Sequence, residues 1–217
     1  MDTENERLLF TERAWYLCGV PVRRTQKPSA DRILEAAEEV FAEHGYAEVS
    51  LRQLMAAAGV STTAFYARFD SKEAVMAALT TRLFSELYAE APSVLDRARD
   101  LERGIVLGVD LLCDRFAPRQ ALVRMILAET GASKAAVDAR RRAYSLLAAF
   151  LSGRFRALAD RKRIAVPDPD ALAWALVGAL EIQVTRWAVW NEIDLATLRA
   201  QLVAAARAIL PDESRRS

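Results

Sequence analysis

The sequence predicts an all-α fold, with a small N-terminal three-helix domain ahead of a larger C-terminal helical domain. Three observations predict it. Alanine, leucine, arginine and glutamate dominate the 217 residues, while Gly (8) and Pro (7) are sparse, which favours helices. No run alternates apolar and polar residues for long enough to require a strand. Residues 45–73, GYAEVSLRQLMAAAGVSTTAFYARFDSKE, hold two short apolar-periodic segments joined at a glycine, the form of a helix-turn-helix. With 53% hydrophobic content the chain can bury a sizeable core.

Residues 1–27 form an N-terminal extension. LLFTERAWYLCGVPV is apolar enough to pack on something, and the stretch ends in Arg23, Arg24 and Lys27. Two readings stand: an arm that reaches DNA, or a leader whose basic end is merely solvated. Pro28 and Ser29 then start the first helix, which runs through ADRILEAAEEVFAEHGY.

The corner follows. Ser50 is placed to cap its first helix, with Gln53 in capping-box position. Leu51, Leu54 and Met55 share one face, and Ala56 to Ala58 are small enough for a second helix to approach closely. Gly59 suits the left-handed position that ends a helix, and Val60 plugs the corner. Ser61 caps the next helix, Thr62 to Ala67, which turns Phe65 and Phe69 to the core. Thr62, Thr63, Tyr66 and Arg68 are left facing outward. In a helix-turn-helix this second helix lies in the DNA major groove. Threonines suit base edges, and Tyr66 and Arg68 suit phosphates. Lys72 sits in the first turn of the following helix, where a cation opposes the helix dipole, so an external anion such as a phosphate is expected beside it. The plain alternative is an ordinary helical corner with a solvated polar face.

From Ser71 onward long helices are expected. Residues 72–90 carry Val75, Leu79, Leu83 and Leu87 up to Pro92. Residues 94–116 carry Leu101, Ile105, Val109, Leu112 and Phe116. A shorter segment covers 118–130. Residues 133–163 carry Tyr144, Leu147, Leu151, Phe155 and Leu158, with Arg140, Arg141 and Arg142 on a solvated side. The helix at 169–190 is apolar nearly all round, so it must be buried on several sides. A last helix covers 194–210.

Charge alone does not announce a nucleic-acid partner. The net charge is +1, and residues 28–72 hold four Lys/Arg against seven Asp/Glu. Four of the acids (Glu35, Glu38, Glu39, Glu43) lie on the first helix, behind the corner, while the cations gather on its reading side. Distribution outweighs the sum. Cys18 and Cys113 are far apart and His44 is the only histidine, so no Cys/His zinc site is expected. No nucleophile stands beside a base and no glycine loop cradles a phosphate. Neither an enzyme nor a cofactor is expected. MDTENERLLF lacks a positive n-region, and no stretch of about 18 apolar residues is free of charge. A soluble, cytoplasmic chain that does not engage a membrane is expected.

These residues resemble the tetracycline-repressor (TetR/AcrR) family of bacterial transcription regulators. Phe41, Gly45, Tyr46, Ser50, Leu54, Ala58, Gly59, Val60, Ser61, Phe65, Tyr66, Phe69, Ser71, Lys72 and Glu73 stand where the family pattern wants them. The match covers about a fifth of the chain. Met55 departs from the usual alanine, Arg68 from the commoner histidine or tyrosine, and Ala74 and Val75 stand near the usual leucine. The resemblance implies a helix-turn-helix DNA-binding domain over 28–73 and a helical effector-binding and dimerisation domain over 74–217. It implies DNA contacts at Ser50, Gln53, Ser61, Thr62, Thr63, Tyr66, Arg68 and Lys72. It implies a homodimer through the last two helices (169–210). It further implies a repressor released from a palindromic operator by a small, largely apolar effector. The implied pocket is lined by Phe84, Tyr88, Leu112, Cys113, Phe116, Met125, Tyr144 and Trp174, with Glu129, Glu181 and Gln183 as polar anchors. For any one of these residues, plain core packing is the competing reading. The alternative function is an architectural, nucleoid-type DNA-binding protein of the same fold without an effector. In a bacterial cytosol no disulfide is expected.

Overall fold

The computed structural model describes residues 28–128, 133–162, 166 and 168–210, and these are helical with no strand among them. The expectations for residues 1–27 and for Glu129 lie outside the described residues. Among the described residues nine α-helices follow one another: α1 (Pro28–His44), α2 (Leu51–Ala58), α3 (Thr62–Tyr66), α4 (Lys72–Leu95), α5 (Leu101–Phe116), α6 (Gln120–Ala128), α7 (Lys134–Lys162), α8 (Pro169–Ala188) and α9 (Leu195–Ile209). A 3-10 turn at Ala117–Arg119 joins α5 to α6.

Helix boundaries follow local chemistry, and two differ from the periodicity. The fourth helix does not stop before Pro92 but runs through it to Leu95. A proline there gives up one backbone bond a single turn from the end, and Asp96 N–H still reaches the Pro92 carbonyl at 2.9 Å. The next helix starts at Leu101 rather than 94, because the Asp100 carboxylate accepts from Arg103 N–H at 2.7 Å and caps it there.

One continuous core runs from α1 to α9. Ile33, Phe41, Leu54 and Phe65 belong to the same buried cluster as Val75, Leu79, Leu83, Met125 and Leu202. The expected stripe of Val75, Leu79, Leu83 and Leu87 is buried, and so is the adjacent one of Met76, Thr80, Phe84 and Tyr88. Helix α4 is therefore sunk between α1 on one end and α5 and α7 on the other. Its polar atoms are satisfied: Thr80 Oγ1 donates to the Met76 carbonyl at 2.9 Å, and the Tyr88 hydroxyl to that of Ala143 at 2.6 Å. A second cluster, with Phe155, Ala173, Leu176, Val177 and Leu210, joins α7, α8 and α9.

Ion pairs tie the layers. Arg199 of α9 pairs with Asp110 and, at 3.1 Å, with Asp114 of α5. Arg119 pairs with Glu38 of α1 at 3.0 Å and with Glu86 of α4 at 2.6 Å. Arg141 and Arg142 are exposed as expected, but Arg140 is not on that solvated side. It donates to the Ile126 and Leu127 carbonyls at 3.2 and 3.1 Å, capping the open C-terminal end of α6.

Candidate nucleic-acid interface

The corner is built by its caps. Ser50 Oγ accepts from Gln53 N–H at 3.3 Å, and Gln53 Oε1 accepts from Ser50 N–H at 2.8 Å, which completes the capping box at the start of α2. Gly59 ends α2 at φ 60°, in the left-handed region. Its N–H reaches the Ala56 carbonyl, and the Val60 N–H that of Met55. Ser61 Oγ then accepts from Ala64 N–H at 3.2 Å and opens α3.

Helix α3 is held by one residue. Phe65 is completely buried, with Tyr66 edge-on at 5.6 Å and Phe69 at 6.1 Å between ring centroids. Burying Phe65 turns the opposite side of this short helix outward. Ser61, Thr62 and Thr63 are exposed, Tyr66 is 49% exposed, and Arg68 is half-buried at the end. Ser50 and Gln53 are exposed on α2. A hydroxyl-rich face with a phenol and a guanidinium at its edge can donate to phosphates and base edges.

Beside Lys72, where an external anion is expected, the structure places acceptors of the chain itself. The Lys72 ammonium donates to the carbonyls of Tyr46, Val49 and Ala47 at 2.8, 2.9 and 3.3 Å, and lies 4.5 Å from the centre of the Tyr46 ring. These acceptors are neutral carbonyls of the loop between α1 and α2, within the protein itself. Nothing in sequence spacing points to this, because the partners lie 23 to 26 residues upstream. Next to it, its own backbone amide and the Ser71 hydroxyl hold the Glu73 carboxyl below the ordinary range, and the Tyr46 hydroxyl adds to that.

A second site lies in the larger helical part. An apolar cavity of about 40 Å³ is lined by Phe84 of α4, Leu112 and Phe116 of α5, Val123 and Ile126 of α6, Tyr144 and Leu147 of α7, and Leu180, Glu181 and Val184 of α8, among others. Phe84 meets Phe116 edge-on at 5.9 Å and Tyr144 at 6.1 Å. Burial raises the Tyr144 phenol's pKa and the neighbouring Glu181 carboxylate raises it further, so the hydroxyl keeps its proton.

Of the expected lining, Phe84, Leu112, Phe116, Tyr144 and Glu181 are there and others are not. Cys113 and Met125 are buried in the core, off the helix faces that present Leu112/Phe116 and Val123/Ile126. Burial pushes the Cys113 thiol up to about 11. Tyr88 turns to α7 through its hydroxyl bond to Ala143. Gln183 accepts from Arg186 at 3.0 Å. Trp174 is 49% exposed and lies with Ala171, Ala175, Gly178 and Ile182 on an open stripe of α8. The cavity is faced instead by Val177, Leu180 and Val184. Helix α8 is thus uncovered on one side, where an apolar helix was expected to be buried. No described helix is long and apolar enough to cross a membrane.

The model of bacterial regulatory proteins of the tetR family matches residues 33–79, a span that takes in most of α1, the corner and the first turns of α4. The HTH-type transcriptional regulator EthR of Mycobacterium tuberculosis is 30% identical over 108 residues, which are 47% of this chain and 50% of that protein. The chain thus spans about half the length of this relative. EthR of Mycolicibacterium smegmatis is 30% identical over 156 residues, 67% of this chain and 69% of that protein. Among solved structures, a TetR-family transcriptional regulator from Syntrophomonas wolfei superposes with TM-score 0.76 at 18% identity, over 85% of this chain and 96% of that one. The fatty acid degradation regulator FadR from Bacillus halodurans does so with TM-score 0.70 at 21% identity, over 89% and 100%. At such identities the structures speak for the fold. The capped corner, the helical body behind it and a relative matched over two thirds of both lengths agree: this chain belongs to the tetR family of bacterial regulatory proteins.

Proposed function

We propose that this chain is a sequence-specific, DNA-binding transcription regulator, acting in the cytoplasm as a homodimer and as a repressor that a small apolar effector releases. The observation that carries the DNA reading is the outward face of α3, where Ser61, Thr62, Thr63 and Tyr66 are exposed opposite a fully buried Phe65. Thr62 and Thr63 serve as base readers, Tyr66 and Arg68 as phosphate donors, and Ser50 and Gln53 as supporting contacts from α2. Selection of bound sequences from random DNA, followed by footprinting at two salt concentrations, tests it. A palindromic site with salt-dependent affinity is expected, since a two-fold dimer reads two half-sites. Weak binding without sequence preference would overturn the reading. Tyr66→Phe keeps the ring and loses one donor; operator affinity should fall about fivefold with an unchanged melting curve.

The dimer reading rests on the open apolar stripe of α8, with Trp174 and Ile182 at 49% and 45% exposure, and on the exposed alanines Ala196, Ala200, Ala204 and Ala208 of α9. Together they supply small and large apolar side chains for a second copy to cover.

The effector reading rests on the cavity. Its volume of about 40 Å³ holds little more than a water or two, whereas drug-sized ligands need roughly 300 Å³ or more. Ligand entry therefore requires the Phe84, Phe116 and Tyr144 rings to part. This small volume also favours the second reading, an architectural DNA binder without an effector. A thermal-shift screen of apolar compounds separates the two. A compound that raises the melting temperature and releases operator supports the repressor; stabilisation by none, with Phe116→Ala equally silent, supports the architectural protein.

A further inference from the structure

We propose that Lys72 is a positioning residue for DNA reading and not a phosphate contact: its ammonium bolts the α1–α2 loop to the start of α4 and so sets the angle at which the corner is presented. The inference rests on the DNA-reading function proposed above.

An ammonium has three hydrogens and no acceptor. Here three carbonyls of one loop, those of Tyr46, Ala47 and Val49, take hydrogen bonds from it at 2.8, 3.3 and 2.9 Å. The bonds to Tyr46 and Val49 are part-buried. The Tyr46 ring below the ammonium is itself buried and packs edge-on against Phe41 of α1 at 5.3 Å. A phosphate could be reached only by giving up one of these bonds, which would leave a carbonyl without its donor. The loop ends at Val49, and the next residue, Ser50, is the cap that starts α2. Whatever holds the 46–49 carbonyls therefore holds the origin of the corner. Ser71, whose hydroxyl accepts from Ala74 N–H at 3.1 Å, fixes the first turn of α4 from which Lys72 projects. The clip thus joins the end of α1, the start of α2 and the start of α4 through one nitrogen.

Positioning and phosphate contact differ in what salt does to them. Removing a phosphate contact lowers affinity for every sequence and flattens the salt slope by about 0.9 per contact, so by about 1.8 when both copies of the proposed dimer lose it. Removing a clip leaves the phosphate count unchanged and degrades the fit to the operator alone. The full-length chain carrying Lys72→Met, which keeps the stem over Tyr46, is compared with wild type on the selected operator and on random DNA between roughly 50 and 200 mM salt. Operator affinity should fall about tenfold, with random-DNA affinity and slope unchanged. In the free protein, amide exchange of residues 46–50 should quicken, a readout that needs no DNA. Lys72→Arg is the second variant. A guanidinium serves a phosphate at least as well, but its planar fork cannot converge on three carbonyls from one point, so its operator affinity should also fall at constant slope.

A flattened slope in Lys72→Met, with Lys72→Arg at wild-type affinity, would overturn the proposal. So would unchanged amide exchange at 46–50 in both variants. If wild type shows no operator preference, the DNA-reading function fails by that result, while the exchange data still decide whether the clip exists.

Discussion

At the scale of single residues, two positions near the corner carry a disproportionate share of its geometry. Gly59 sits at φ 60° with open space where a β-carbon would go. A substitution there is opposed by backbone conformation and not by a clash. Gly59→Ala should therefore destabilise by about 1–2 kcal/mol, read as a shifted urea midpoint at constant slope. A loss several times larger would mean that packing also fails. Glu73 carries a pH signature. Its folded-state pKa lies below the ordinary 4.5, so its contribution to stability is fully present above that value. It is lost as pH falls through the lower, folded-state value. Acid titration of stability should be shallower in Glu73→Gln than in wild type below pH 4.5; identical titrations would show that the carboxylate contributes nothing.

At the scale of elements, the turn between α5 and α6 connects the two sites. Phe116 before it and Val123 after it line the cavity. Arg119 within it reaches α1 through Glu38 and α4 through Glu86. These side chains are mostly shielded from water, at 20% to 34% exposure. Arg119→Met takes the cation from Glu38 and leaves Glu86 with Arg82, and should cost about 1–2 kcal/mol once residual screening is allowed for. Glu38→Gln on that background should add little, and a double-mutant cycle in urea measures the coupling. Strict additivity would show that the pair is ornamental. If effector release operates as proposed, this turn joins the cavity wall to α1 through the Arg119–Glu38 ion pair.

At the scale of the whole molecule, the uncovered face of α8 is the surface proposed to meet a second copy. Ile182 and Trp174 stand on it with Gly178 between them. Ile182→Arg places a charge where a second copy would bury the stripe, and light scattering at micromolar concentration should then report a monomer with intact helicity. A dimer of unchanged strength would move the interface elsewhere on the chain. Monomers should also lose operator affinity far more than affinity for random DNA, because only a pair of corners spans two half-sites.

Local signals settled most of the fold. The caps at Ser50, Gln53, Gly59 and Ser61 act on neighbours within three or four residues, so the corner could be read letter by letter, and Phe65 and Leu54 are buried where periodicity put them. The family follows from the same residues. Long-range geometry settled the rest. Lys72 finds carbonyls more than twenty residues away, a contact that no spacing rule encodes. Cys113 and Met125 had the right chemistry for a pocket but lie on other helix faces, Tyr88 shares the face of Phe84 but is tied to the Ala143 carbonyl, and Trp174 points off α8 altogether. An apolar residue on a helix states that it wants burial; only the packing of helices against one another decides whether core, cavity or a second molecule supplies it.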